Sequence, residues 1–441
     1  MGTAFAAPLP NSPRPALPPE AGGAIIGPVA DHYRLYCPAC HADQDDGASR
    51  CSRCGGCLAV ALPRRLAPGE AHPFAGVSSL GAMWRANPVL PVADPGCIVS
   101  LGEGGTPCLP AAYLGREAGV AVWLKNEAAN PTGSFKDRQV AVGISRAREL
   151  GRRDCYVVSS GNVAAAAAAY SARVGMRCWV ITPAWAPAEK LLQVRLCGAR
   201  VVRVQSRSAG DLFALAEQAA TRFGWHPIST AARSSPFNIV GARTIAGELL
   251  SQAPPLDWVI APVGGGGLLG SLGQGFQDAA ALRPGLPLPR LVGVQAAGCA
   301  PFVQAVEQGL SAAEALARPW QPVDTIAGGL ADDVPFDAHV ALPAIRESKG
   351  LALAVTDEQI REAQRLLAVR EGLFIEPSGV VSVAGLLALL EQGRIAPGQT
   401  ACCLLTGSGL KDVASAPVLP PLPAIGPTFA ELERMVGELG G

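Results

Sequence analysis

An excess of charge of either sign is what this chain most conspicuously lacks. Lysine and arginine number 36, aspartate and glutamate 36, and charged residues make up only 16% of the chain. With zero net charge there is no broad electrostatic pull toward nucleic acid or an anionic membrane. Aromatics are scarce, at 5%, so a basic, aromatic-studded nucleic-acid surface is not expected either. No uninterrupted apolar run is long enough to cross a bilayer. The N-terminus has no basic segment followed by a long apolar one, and Ala6 breaks the myristoylation pattern. A cytoplasmic protein with neither a membrane nor a nucleic-acid partner is expected. What is plentiful is apolar surface. At 49% hydrophobic over 441 residues, the chain can bury a large core, spread over two or three domains.

Thirteen cysteines are present, and five lie close together near the N-terminus. The segment "CPACHADQDDGASRCSRCGGC" holds two C-x-x-C pairs, Cys37/Cys40 and Cys51/Cys54. Two such knuckles complete a tetrahedral thiolate site, which leaves no open position for catalysis. Structural zinc in a ribbon is the reading; a vestigial ribbon without metal is the plainer alternative. Gly55 and Gly56 suit the tight backbone, Cys57 is a spare, and His41 is a possible substitute ligand. The other cysteines, such as Cys178 and Cys402, sit among apolar neighbours and read as small buried hydrophobes.

From Phe74 onward the texture alternates. Short apolar runs, most of them rich in Val or Ile ("CYVVSS", "RCWVITP", "ARVVRVQ", "DWVIAPV", "RLVGVQ", "ACCLLTG"), lead through Gly or Ser loops into longer helical stretches. That is the pattern of an α/β protein with parallel twisted sheets covered by helices. Residues 1–30, rich in Pro, Ala and Gly, read as a flexible lead-in. Residues 31–62 read as zinc-ribbon-like, and 426–441 as a C-terminal segment whose last helix spans Phe429 to Leu439.

One lysine demands an explanation. "NPTGSFKDRQ" places Lys136 at the mouth of a helix, after a Pro131–Gly133 turn, with Ser134 placed to cap it. An ordinary solvated lysine paired with Asp137 is the plain reading. Three further loops argue against it. "SSGNVAAA", after the strand 155–158, offers backbone N–H groups and Asn162 as an anion seat. "PVGGGGLLGS", after the strand 257–262, offers four glycines, Gly264 to Gly267, that can wrap a phosphate. "LLTGSGLKD" places the hydroxyl of Thr406 at the end of a late strand. Gly265 to Gly270 also matches G-x-G-x-x-G. The next strand offers Gln295 where a dinucleotide site wants an acid, which weakens that reading.

A lysine that can act as a nucleophile, an anion seat, a phosphate cradle and a late hydroxyl fit one cofactor, pyridoxal 5'-phosphate. In "LGEGGTP", "WLKNEAANPTGSFKDR", "SSGN" and "LTGSGLKD", the chain resembles the fold-type II pyridoxal-phosphate enzymes. Within that tryptophan-synthase β superfamily it is most similar to the threonine synthase-like branch. The resemblance implies that Lys136 forms the Schiff base to the cofactor and then moves protons. It implies Asn162 at the ring oxygen, Gly264, Gly265, Gly266 and Gly267 at the phosphate, and Thr406 at the ring nitrogen. Ser160, Gly161, Asn162 and Val163 would hold the carboxylate of a small amino-acid substrate. It also implies a large cofactor-binding domain (63–125 and 226–425), a smaller inserted domain (126–225) carrying Lys136, and a homodimer.

The match frays in places. The glycine run and "IAGGLADDVP" look more like serine/threonine dehydratases. Val163 and Asn238 stand where synthases usually carry a threonine and an arginine; Arg233 and Arg243 lie near enough in sequence to compensate. A synthase acting on O-phosphohomoserine is the first reading. A dehydratase-like ammonia-lyase or a β-replacement enzyme on an activated serine is the second. A catalytically silent binding or regulatory homologue is the third.

Overall fold

The computed structural model describes residues 33–45, 48, 50–61, 82–86, 90–206, 209–416 and 422–439. The lead-in 1–30 lies outside them. Ten strands follow a small N-terminal three-stranded sheet, β1 (Arg34–Tyr36), β2 (Asp43–Gln44) and β3 (Ala59–Ala61), which is antiparallel in the order β2-β1-β3. The rest are β4 (Cys108–Pro110), β5 (Ala121–Asn126), β6 (Asp154–Val158), β7 (Arg177–Pro183), β8 (Arg200–Val204), β9 (His226–Pro227), β10 (Trp258–Pro262), β11 (Arg290–Ala296), β12 (Leu351–Val355) and β13 (Thr400–Leu405).

They form two sheets. The larger has the order β12-β11-β10-β13-β5-β4, and the smaller, β8-β7-β6-β9, is wholly parallel. The smaller sheet thus falls, in sequence, between β5 and β10 of the larger one. Within the larger sheet β4 departs from the expected parallel pattern and runs antiparallel to β5. The link between them, 111–120, holds no helix, and a parallel crossover needs about a dozen residues or more. Pro110 ends β4 on the sheet's edge, where a missing N–H donor is tolerated.

Alternation along the central strands divides the core in two. Ile260, Val292, Val294, Ala401 and Cys403 pack on one face against the helix Pro377–Glu391. Val259, Ala261, Leu291, Cys402 and Leu404 pack on the other against Leu269, Leu272 and Phe276 of the helix Gly267–Leu282. All five residues of β10 are buried, as a strand covered on both faces requires. The helix Lys136–Glu149 is buried continuously from Asp137 to Ala147. It crosses the helix Val240–Gln252 at Gly241, where a Cβ would meet the backbone carbonyl of Arg138. The ribbon strands share a core with that lysine helix, through Leu35, Leu58 and Val60. No helix among the described residues is long and apolar enough to cross a membrane.

Candidate active site

The loops that follow the carboxyl ends of β5, β6, β10 and β13 face one cleft between the two sheets, where ligands of open α/β sheets bind. It is a cavity of about 1320 Å³. Lys136, Ser160, Gly161, Asn162, Val163, Gly264, Gly265, Gly266, Gly267 and Thr406 all line it. These residues come from distant parts of the chain, and the fold brings them together.

Lys136 is the first residue of its helix. Its Nζ donates to Thr230 Oγ1 at 3.1 Å and makes no ion pair among the described residues. Burial pushes the amine down to about 8, against the opposing pull of Asp332, Asp337 and Glu376. Asp137 is not its partner. That carboxylate accepts instead from the backbone N–H (2.7 Å) and hydroxyl (2.6 Å) of Thr132, tying down the preceding turn. Ser134 does not cap the helix as expected. Its backbone bridges Gly407 as in a strand, and Phe135 N–H donates to the Thr406 carbonyl at 3.0 Å. That pairing fixes Ser134 outside cap geometry, and its buried hydroxyl has no partner among the described residues.

The glycine run Gly264–Gly267 opens the helix Gly267–Leu282, with no side chain capping its first amides. Gly266 adopts φ +104°, which favours glycine. Free helix-start amides with a favourable dipole make an anion seat. Two acids press on it: a Cβ on Gly264 would lie 2.8 Å from Asp332 Oδ2, and one on Gly267 2.6 Å from Asp337 Oδ2. The nearby Gly265 backbone N–H partly offsets the effect of burial on Asp332. Burial pushes both carboxyls up to about 6. At neutral pH the Asp332 charge therefore competes with an incoming phosphate. Asp332→Asn is expected to bind pyridoxal phosphate about tenfold more tightly at about pH 7.5. The gain should shrink toward about pH 5.5, where the wild-type carboxyl is itself largely neutral. Fluorescence titration of cofactor-free protein reads this; weaker binding by the variant would mean that the carboxylate orders the cradle instead.

Asn162 Nδ2 donates to Glu376 Oε1 at 2.7 Å. Burial pushes the Glu376 carboxyl up to about 7, although the Asn162 bond pulls it down. Glu376 N–H in turn donates to the Gly407 carbonyl at 3.0 Å, so this glutamate joins the Asn162 loop to the Thr406 loop. Sequence reasoning missed it; the only signal was a lone acid in "LFIEPSG". Gln295 faces no ligand: its Oε1 accepts from the backbone of Phe302 (2.8 Å) and Val303 (3.1 Å). The dinucleotide reading loses its ribose contact.

Asn238 is buried, with Nδ2 on the Ser229 carbonyl at 2.8 Å. Arg243 is spent on the Val60 carbonyl (2.7 Å) and Asp278 (3.5 Å). Arg233 does line the cavity, and so does Arg50 of the ribbon. The four ribbon thiols lie within 4.8 Å of one another, with Cys37–Cys54 and Cys40–Cys51 Sγ pairs at 3.5 Å. That is near the edge length of a tetrahedral zinc–thiolate site. Cys57 stands apart and accepts from Arg50 Nη1 at 3.2 Å.

A desolvated amine without an ion-pair partner, helix-start amides among glycines, a side-chain amide and a buried hydroxyl fit pyridoxal phosphate as a donor set. Comparison with known proteins agrees. The model of the pyridoxal-phosphate dependent enzyme family matches residues 99–407. A threonine synthase from Methanocaldococcus jannaschii is 40% identical over 76% of this chain and 82% of its own length. One from Synechocystis is 38% identical over 76% and 85%. Among solved structures, a T.th. threonine deaminase matches with a TM-score of 0.57 and 28% identity, over 72% of this chain and 94% of that one.

Proposed function

This chain belongs to the pyridoxal-phosphate-dependent enzyme family, as a lyase, and from that premise we propose that it is a threonine synthase, converting O-phosphohomoserine and water to threonine and phosphate. The observation that carries the reading is the 40% identity to a threonine synthase across most of both chains.

Bound in the cleft, pyridoxal phosphate supplies an electron sink for negative charge at substrate carbon. The protein's part follows from the geometry. Lys136, with its amine at about 8, is a usable nucleophile near neutral pH and would also serve to carry a proton to or from the substrate. Gly264–Gly267 hold the cofactor phosphate on helix-start amides. Asn162, oriented by Glu376, would hold the ring oxygen. Thr406 would offer a hydroxyl to the ring nitrogen, which does not force protonation as a carboxylate would. Ser160, Gly161, Asn162 and Val163 seat the substrate carboxylate.

Zinc belongs to the same proposal: Cys37, Cys40, Cys51 and Cys54 hold it as a closed structural site. Elemental analysis is expected to give about one zinc per chain, falling to a small fraction in Cys40→Ser. Metal-free wild-type protein would contradict it. A homodimer working in the cytoplasm, with the domain limits given above, completes the reading.

A dehydratase acting on serine or threonine is favoured by one local observation, Val163, which lines the cavity without a hydroxyl to offer. Product analysis separates the two. Protein loaded with cofactor is expected to release threonine and phosphate in equal amounts from O-phosphohomoserine. Accumulation of 2-oxo acid from threonine or serine, with no phosphate release, would establish the dehydratase.

A further inference from the structure

Among the described residues, five cationic side chains line the cavity: Arg50, Lys136, Lys190, Arg233 and Lys411. Three have evident employment. Lys136 sits at the cofactor position. Lys190 pairs with Asp412 at 2.9 Å. Lys411 donates to the Thr132 carbonyl at 2.7 Å and to Gln193 at 2.9 Å. The two guanidiniums are different. Arg50 donates to the Cys57 thiol, and Arg233 lies over the Phe336 ring, 5.6 Å from its centroid. Neither forms an ion pair among the described residues.

Both side chains line the one cavity, and their charges, after burial, help push His339 down to about 4. Acids line the same cavity, Asp332, Asp333, Asp337 and Glu376 among them; Asp337 accepts from the Arg233 backbone N–H and Glu376 from Asn162. Two guanidiniums that line one cavity and sit in no ion pair among the described residues can receive an anion, and arginine's planar fork suits a phosphate.

Arg50 directly precedes Cys51, one of the four clustered thiols. The ribbon is pinned to the enzyme body on two sides. Tyr33 meets Phe237 edge-on at 5.4 Å, with Arg146 over both rings, and the Val60 carbonyl accepts from Arg243.

We propose that Arg50, presented by the cysteine ribbon, binds the distal anionic group of the substrate together with Arg233, making the ribbon a specificity element of the active site. This rests on the reading of the substrate as a phosphorylated amino acid. The test uses cofactor-loaded wild type, Arg50→Ala and Arg50→Lys. Expected for Arg50→Ala is a KM for O-phosphohomoserine raised about tenfold or more, with kcat moving far less. Competitive inhibition by inorganic phosphate should weaken in parallel, with Arg50→Lys in between and the cofactor absorbance preserved. Unchanged KM and unchanged phosphate inhibition would overturn the proposal. Should Arg50→Ala lose its cofactor absorbance, Arg50→Lys against wild type carries the same comparison. Should wild type fail to turn over O-phosphohomoserine, calorimetric titration with inorganic phosphate decides. Binding that Arg50→Ala abolishes keeps the anion receptor while the synthase reading falls; equal binding in both proteins overturns the receptor.

Discussion

Lys136→Ala is expected to lower kcat by about 10³-fold or more, and to leave no cofactor attached after borohydride reduction. The wild-type protein should yield one modified peptide, the one containing Lys136. The expectation follows from the position of the amine. It opens the buried helix Lys136–Glu149, faces the cavity, and has the Thr230 hydroxyl as its hydrogen-bond partner. Lys136→Arg should fail as fully, because a guanidinium keeps the charge but is not a nucleophile at neutral pH. Lys411, at the cavity's polar edge, is committed to Thr132 and Gln193 and is not placed to substitute. Turnover retained in Lys136→Ala would remove the foundation of the mechanism.

The second large effect concerns stability. Behind the lysine helix lies a fully enclosed charge network. Arg138 Nε and Nη2 donate to Glu127 at 2.7 and 2.8 Å, and its Nη1 and Nη2 donate to Glu248 at 2.6 and 2.8 Å. Lys125 Nζ donates to Glu248 at 2.6 Å. Arg138 and Lys125 are wholly buried. Glu248→Ala strands Lys125 and leaves Arg138 with Glu127 alone, and breaking such a pair from one side costs about 3–5 kcal/mol. Equilibrium urea unfolding should show this as a clear drop in midpoint. Glu362→Ala is the contrast: it removes the surface pair with Arg365, more than half exposed on both sides, and should leave the midpoint nearly unchanged. The network also sets a pH limit. Burial raises the Glu248 carboxyl, but Arg138 and Lys125 outweigh it and hold it at about 2. A carboxyl depressed on folding stabilises the fold fully above its ordinary value near 4.5. That contribution is lost as pH falls from there through about 2, and Glu248→Gln should lack this part of the acid transition.

The glycine run, the Asn162 loop and Thr406 were legible because each follows a short apolar strand, and strand ends in such folds converge on the site. The ribbon was legible from cysteine spacing alone. Other parts were not. Glu127, Arg138 and Glu248 look like surface charges in one dimension; only the fold shows that they neutralise one another in the interior. Arg50 reads as one more polar residue between two knuckles until the ribbon is seen seated on Phe237 and Arg146. Ser134 had cap chemistry, but the long-range bridge to Gly407 decided its backbone. Glu376 acquires meaning only from Asn162, which approaches from the other sheet.

The central claim is a replacement reaction on a phosphorylated substrate at the Lys136 site. Its most direct test compares kcat/KM of the cofactor-loaded protein for O-phosphohomoserine with that for threonine and serine deamination under the same conditions. The account predicts a preference for O-phosphohomoserine of about 10²-fold or more, the differential that a charge-assisted phosphate contact supplies. A preference for serine or threonine would contradict it and make this chain a dehydratase on the same scaffold.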